Sequence, residues 1–116
     1  METSPRSRPP GIERAIRDIT QADARVRIVG VVVRYDVGKK LALVDDGTGQ
    51  IRVLTDQVLN EGMKVRVIGN VAVLKSGEIE IDGEVIQNLE GLDMELYSTI
   101  RDLKRDLQHM KINEED

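Results

Sequence analysis

A mainly β chain, with five strands closed into a small barrel and one C-terminal helix behind them, is what these 116 residues imply. Three observations carry that reading. Apolar and polar residues alternate at period two in successive segments before residue 90, the signature of half-buried strands. Two of those segments, RVRIVGVVV and KVRVIGNVAV, are long and broken by a glycine, Gly30 and Gly69, which marks a bulge or bend. Past Leu92 the period changes: Leu96, Ile100, Leu103, Leu107 and Met110 recur at spacings of four, three, four and three, a heptad stripe on one helix face.

Taken in order, residues 1–11 hold Pro5, Pro9, Pro10, Ser4, Ser7, Arg6 and Arg8 with nothing apolar to pack. They read as a disordered tail. Ile12 to Ile19 is a short helical turn or an extended lead-in, and Thr20 to Ala24 is turn-like. The first strand, Ala24 to Tyr35, is long enough to serve two sides of a barrel if it bends at Gly30. Lys40 to Asp45 is the second strand, with Leu41 and Leu43 on one face. Asp45-Asp46-Gly47-Thr48-Gly49 is a hairpin signal, because Asp-Gly suits left-handed turn conformations. Gln50 to Thr55 returns with Ile51 and Val53 inward. Met63 to Lys75 is the fourth strand, Ser76-Gly77 a two-residue hairpin turn, and Glu78 to Ile86 the fifth strand. The helix starts near Asp93, whose carboxylate suits an N-cap, and ends near Lys111 or Ile112, before an acidic tail at 113–116. The expected organisation is therefore tail 1–11, barrel 12–90, helix 91–112 and tail 113–116.

Composition excludes several chemistries. There is no cysteine, so disulfides, thiol nucleophiles and Cys-based zinc or iron–sulfur sites are ruled out. His109 is the single histidine and has no evident base–orienter partner. Asp45, Asp46 and Asp56 raise the question of a divalent cation, but Asp-Gly turn chemistry accounts for the first two. No metal, no cofactor and no enzymatic activity are expected. No segment reaches the ~20 apolar residues of a membrane-spanning helix, and the N-terminus lacks a signal-peptide core. The net charge of −4 conceals a split. Residues 1–77 carry 13 Lys/Arg against 9 Asp/Glu, and residues 78–116 carry 4 against 12.

Five strands of this order suit a Greek-key barrel of the OB-fold type. The run ARVRIVGVVVRYDVGKKLALVDDGTGQIRVL, followed by LNEGMKVRVIGNVAVLKSGEIEI and preceded by IRDITQAD, resembles nucleic-acid-binding OB-fold families. With the helix behind it, the chain is most similar to the middle or small subunit of replication protein A. That resemblance implies a non-catalytic subunit of a heteromeric single-stranded-DNA-binding complex acting in replication, repair and recombination. It implies a heterotrimer held by a three-helix bundle, with Leu96, Ile100, Leu103, Leu107 and Met110 as this chain's contribution. The location it implies is cytoplasmic in a prokaryotic or archaeal cell and nuclear in a eukaryotic one. A stripe of this kind also packs on its own barrel in many proteins, and that alternative stays open here. Other readings are a subunit of a telomere-capping complex with pairwise helix packing, an RNA- or tRNA-binding module, and an accessory domain that stabilises an enzyme.

OB-folds bind single strands across the second and third strands, flanked by the loops after the first and fourth. On this chain that selects Arg34, Tyr35, Lys39, Lys40, Arg52 and Lys75. The cations would neutralise phosphates, and Tyr35 would stack a base. Each has a structural alternative: Tyr35 as a plug of the barrel mouth, Arg52 paired with Asp45 or Glu80, Arg34 paired with Asp36, and Lys39 and Lys40 as solvated turn residues. Arg25, Arg27 and Arg66 are expected on the outer wall, paired with acids of the fifth strand. Tyr35 and Tyr97 are the only aromatic residues, so strand binding by the chain alone is expected to be weak.

Overall fold

In the computed structural model, residues 11–91 and 93–114 are described, with side chains described as far as Leu107 in the helix. The strands are β1 (Ile12–Glu13), β2 (Arg25–Asp36), β3 (Leu41–Asp45), β4 (Gln50–Leu54), β5 (Lys64–Val73) and β6 (Ile79–Asn88). One helix follows, α1 (Met94–Glu114). The sheet order is β1-β2-β3-β4-β6-β5, and a β2–β5 pairing closes β2 to β6 into a five-stranded barrel. The long first strand does serve two sides: residues Arg25 to Val31 pair with β5 and residues Val31 to Asp36 with β3. Parallel pairing of Arg52, Val53 and Leu54 with Glu80, Ile81 and Asp82 closes the other side.

The two glycines act differently from one another. A Cβ on Gly30 would lie 2.7 Å from a Val44 methyl and 2.8 Å from the Asp45 carbonyl, so close approach of β3 requires glycine there. The irregularity in β2 lies further on, between Val32 and Arg34. At Gly69 the register with β6 does shift, and a Cβ would sit 2.2 Å from the Asp82 carbonyl oxygen. Bulges of this kind increase local twist and let a strand turn a barrel corner.

The core is aliphatic. Val26, Ile28, Val32, Ala42, Val44, Val53, Val65, Val67 and Ile81 are fully buried, each contributing roughly 1–3 kcal/mol where a full aliphatic side chain leaves water. In β3 the shared face of Leu41 and Leu43 is the outer one, and Ala42 and Val44 point inward. Gly47 (φ 91°) and Gly77 (φ 93°) adopt the left-handed turn geometry expected of both hairpins. The second hairpin is a three-residue loop, because the Leu74 N–H reaches the Glu78 carbonyl at 2.8 Å.

The segment before β2 is both extended and helical. Ile12 and Glu13 pair in parallel with Val26 and Arg27, and Ile16–Asp18 forms one 3-10 turn. Gly11, assigned to the tail, is buried against the Val26 carbonyl. The rest of that tail lies outside the described residues. Helix α1 opens as expected, with the Leu96 N–H donating to Asp93 Oδ1 at 3.1 Å. It runs on through Asn113 and Glu114, so these two residues belong to its last turn and not to a tail.

Candidate functional site: nucleic-acid face and assembly helix

Strand register sorts the expected contacts onto two faces. Arg34, Leu43, Arg52 and Glu80 stand opposite one another in a row across four strands. Leu43 is on the outer face, so Arg34 and Arg52 share that face with it. Tyr35 stands opposite Ala42, a fully buried residue, and its ring packs against the core. The barrel-mouth role is therefore the one the register supports, and the stacking role loses its geometric basis.

The cations on that face are unequal. Arg52 donates to Glu78 at 2.7 Å and pairs with Glu80 at 3.4 Å, so its charge is held by β6 and the hairpin before it. The pairing with Glu80 is one of those anticipated; Asp45 instead accepts from Gln50 and from the Gly47 N–H. Those two hydrogen bonds hold the Asp45 carboxyl below the usual carboxylate range. Lys40, at φ 54°, pairs with Asp56 at 3.3 Å, both exposed. Arg34, Lys39 and Lys75 are exposed and form no ion pair with any described residue, and Asp36, the expected partner of Arg34, accepts from the Lys39 N–H instead. A groove of about 510 Å³ runs along this face, lined by Ile19, Leu43, Arg52, Gly77 and Ile79. On the outer wall, Arg25 pairs with Glu84 of β6 as expected, whereas Arg27 pairs with Glu13 and Arg66 reaches the amide of Gln87. Among the described residues no group of three or more His, Asp or Glu is gathered for a metal ion. No described helix is long and apolar enough to cross a membrane.

The helix resolves into two working faces. Leu96, Ile100, Leu103 and Leu107 are 44–60 % exposed and form an open apolar stripe. The Met110 and His109 side chains lie outside the described residues. A second face, of Tyr97, Arg101 and Arg105 at four-residue spacing, docks on the barrel. Arg101 Nη1 reaches Asp46 Oδ2 at 3.3 Å, with the two side chains 7 % and 0 % exposed. The Arg105 guanidinium pairs with Asp18 at 3.0 Å, and the Tyr97 hydroxyl donates to Glu13. The Arg101 guanidinium also stands 5.8 Å from the Tyr97 ring centroid. Packing in cis and an open apolar face, posed as alternatives, thus coexist on one helix.

Asp46 is the residue that turn chemistry alone understates. It accepts from the Thr48 N–H at 2.8 Å and the Thr48 hydroxyl at 2.6 Å, as a turn residue would. It also accepts from the Ile16 N–H at 2.8 Å and from Arg101. One carboxylate therefore ties together the β3–β4 hairpin, the 3-10 turn and the helix. The available sequence signal is the Tyr97, Arg101, Arg105 row at four-residue spacing, which lies off the apolar stripe.

Burial, and then the Glu13 carboxylate, push the Tyr97 hydroxyl pKa well above its ordinary 10.0. A raised folded-state pKa stabilises fully below the unfolded value and is lost as pH climbs past it. Unfolding by urea is therefore expected to become easier above about pH 10, and Tyr97→Phe is expected to remove part of that alkaline loss. Equal alkaline loss in both proteins would dissociate Tyr97 from helix docking.

Comparison with known proteins places the chain. A family model described as a telomere-capping, CST complex subunit matches residues 13–111. A search among curated proteins returns no significant match. Among solved structures, the chain is similar to the S. pombe Stn1–Ten1 complex, at TM-score 0.61 and 21 % identity over 78 % of this chain and 77 % of that one. It is similar to the telomere capping protein Ten1 from Saccharomyces pombe, at TM-score 0.63 and 14 % identity over 83 % and 98 %. A replication protein A heterotrimer bound to single-stranded DNA matches at TM-score 0.58 and 23 % identity over 75 % of each chain. At these identities the structures establish the OB-fold. The replication protein A assignment therefore holds at the level of fold, and the three-helix bundle it implied has no support in the single helix described. The family match reaches from Glu13 in β1 to Lys111 in α1, and the chain belongs to the family of telomere-capping, CST complex subunits.

Proposed function

We propose that this chain is a non-catalytic OB-fold subunit of a telomere-capping complex. It joins a second OB-fold subunit through the open stripe of α1 and adds a weak, salt-dependent contact to single-stranded DNA. The family match across both barrel and helix, together with four exposed apolar side chains on a helix already docked by its other face, supports this reading. Contiguous apolar surface of this kind marks an interaction site. Pairwise helix packing replaces the trimeric bundle, and one of the similar solved structures is a Stn1–Ten1 complex. The role is at chromosome ends, in the nucleus, in place of general replication and repair.

The contact to DNA is modest because Arg34, Lys39 and Lys75 alone form no ion pair with a described residue among the expected cations, Arg52 is already held by two acids, and the Tyr35 ring packs against the core. Three phosphate contacts predict a slope of log K against log salt of about −2. Fluorescence anisotropy with oligothymidine is expected to show weak binding that fades with salt. Nanomolar affinity, or indifference to salt, would contradict the proposed contact. For assembly, native co-purification with mass analysis is expected to recover one OB-fold chain; recovery of a synthetase or nuclease would favour the enzyme-accessory reading.

A further inference from the structure

The proposed function leaves the two working surfaces, strand face and helix stripe, as separate devices. The hydrogen bonds around Asp46 connect them. This side chain is fully enclosed and accepts four hydrogen bonds from three chain segments: Thr48 in the hairpin, Ile16 in the 3-10 turn, and Arg101 in the helix. The hairpin it shapes joins β3 and β4, the strands that present Leu43 and Arg52 on the outer face. The Asp46 N–H also reaches back to the Gly49 carbonyl at 3.3 Å, closing that turn.

From this geometry we infer that Arg101 is a positioning residue: through Asp46, docking of α1 sets the order of the β3–β4 hairpin and hence the affinity of the strand face. The inference rests on the strand-binding reading above. Arg101 reaches the barrel from a helix face distinct from the apolar stripe, so a partner covering Leu96, Ile100 and Leu103 leaves the Asp46 contact in place. A covered stripe holds the helix still. A helix held still keeps Arg101 on Asp46, and Asp46 keeps the turn closed. With the helix free to leave, the carboxylate loses Arg101, its charged partner among the described residues, and the Ile16 and Thr48 amides are left to hold the buried charge. Coupling between two sites through one such shared element commonly amounts to fivefold or more in affinity.

The test compares Arg101→Gln with Lys104→Gln in the full-length chain. Both remove one helix cation; only the first removes a contact to Asp46, since Lys104 is exposed and forms no ion pair with a described residue. Hydrogen exchange is read at the amides of Ile16, Asp46 and Thr48, and oligothymidine affinity by anisotropy at low salt. Arg101→Gln is expected to speed exchange at these amides and weaken oligothymidine about fivefold, with Arg101→Lys restoring part of both. Lys104→Gln is expected to leave exchange unchanged. Unchanged hairpin exchange in Arg101→Gln overturns the inference, as does an equal loss of affinity in both variants, which would reduce Arg101 to a general charge. Should the wild type bind no oligothymidine while the exchange pattern appears as expected, the strand-binding reading is what fails.

Discussion

Leu103→Glu is expected to abolish association with the partner subunit and to leave the barrel folded. Leu103 lies in the middle of the described stripe and is 56 % exposed, so the free chain gains no buried charge from the change. Glutamate is also a good helix former, and α1 stays docked through Tyr97, Arg101 and Arg105. Stability of the isolated chain should therefore move by no more than ~0.5 kcal/mol. In the complex the same carboxylate sits inside a packed apolar seam without a partner. Central interface residues of this kind cost ~2 kcal/mol or more on substitution, about thirtyfold in affinity. Light scattering on the co-expressed pair measures the first effect and urea unfolding the second. A complex of unchanged mass would show that the stripe is not the interface.

Asp46→Ala carries the largest expected cost to the fold itself. It removes the buried partner of Arg101, which keeps the partly exposed Asp102 at 3.3 Å, and leaves the Ile16 and Thr48 amides without their acceptor. Breaking a buried pair from one side typically costs ~3–5 kcal/mol, a large share of a marginal total of ~5–15 kcal/mol. Arg101→Met should cost less, because Asp46 keeps three hydrogen bonds from Ile16 and Thr48. The double change Asp46→Asn with Arg101→Met should be milder than the sum of its singles, since neither charge is then stranded. Urea midpoints of the wild type, Asp46→Ala, Asp46→Asn, Arg101→Met and the double variant decide the matter. Equal losses for Asp46→Ala and Arg101→Met would show that the pair, and not the carboxylate's full set of bonds, carries the stabilisation.

Much of the barrel was legible because its instructions are local. Alternation in RVRIVGVVV and KVRVIGNVAV specifies which side chains face inward, and Asp-Gly and Ser-Gly specify where the chain reverses. Hydrophobic burial and turn sterics act over a few residues, so a period of two and a glycine at positive φ are visible in one dimension. The three-residue loop at Lys75 to Gly77 departs from the expected two because the closing pair depends on how β5 and β6 register across it.

The candidate strand face was legible only in part. Register places Arg34 and Arg52 on one outer face with Leu43, and the states of the expected residues follow from cross-strand neighbours. Arg52 meets Glu78 and Glu80 from β6, and Tyr35 falls on the row of Ala42. Both facts depend on register, and one step of register would have exchanged the inner and outer rows.

The order of strands, the two reversals, the apolar stripe of the helix and the shortage of aromatic rings all followed from the residues alone, since each is a matter of neighbours in sequence. How the helix sits did not. Asp46 and Arg101 are 55 positions apart, and neither carries a local sign of the other. Nothing but closure of the barrel brings the hairpin, the Ile16 turn and the helix to one point. Only there does a carboxylate that suits an exposed turn become a buried acceptor, because removal of water is what makes its remaining partners necessary.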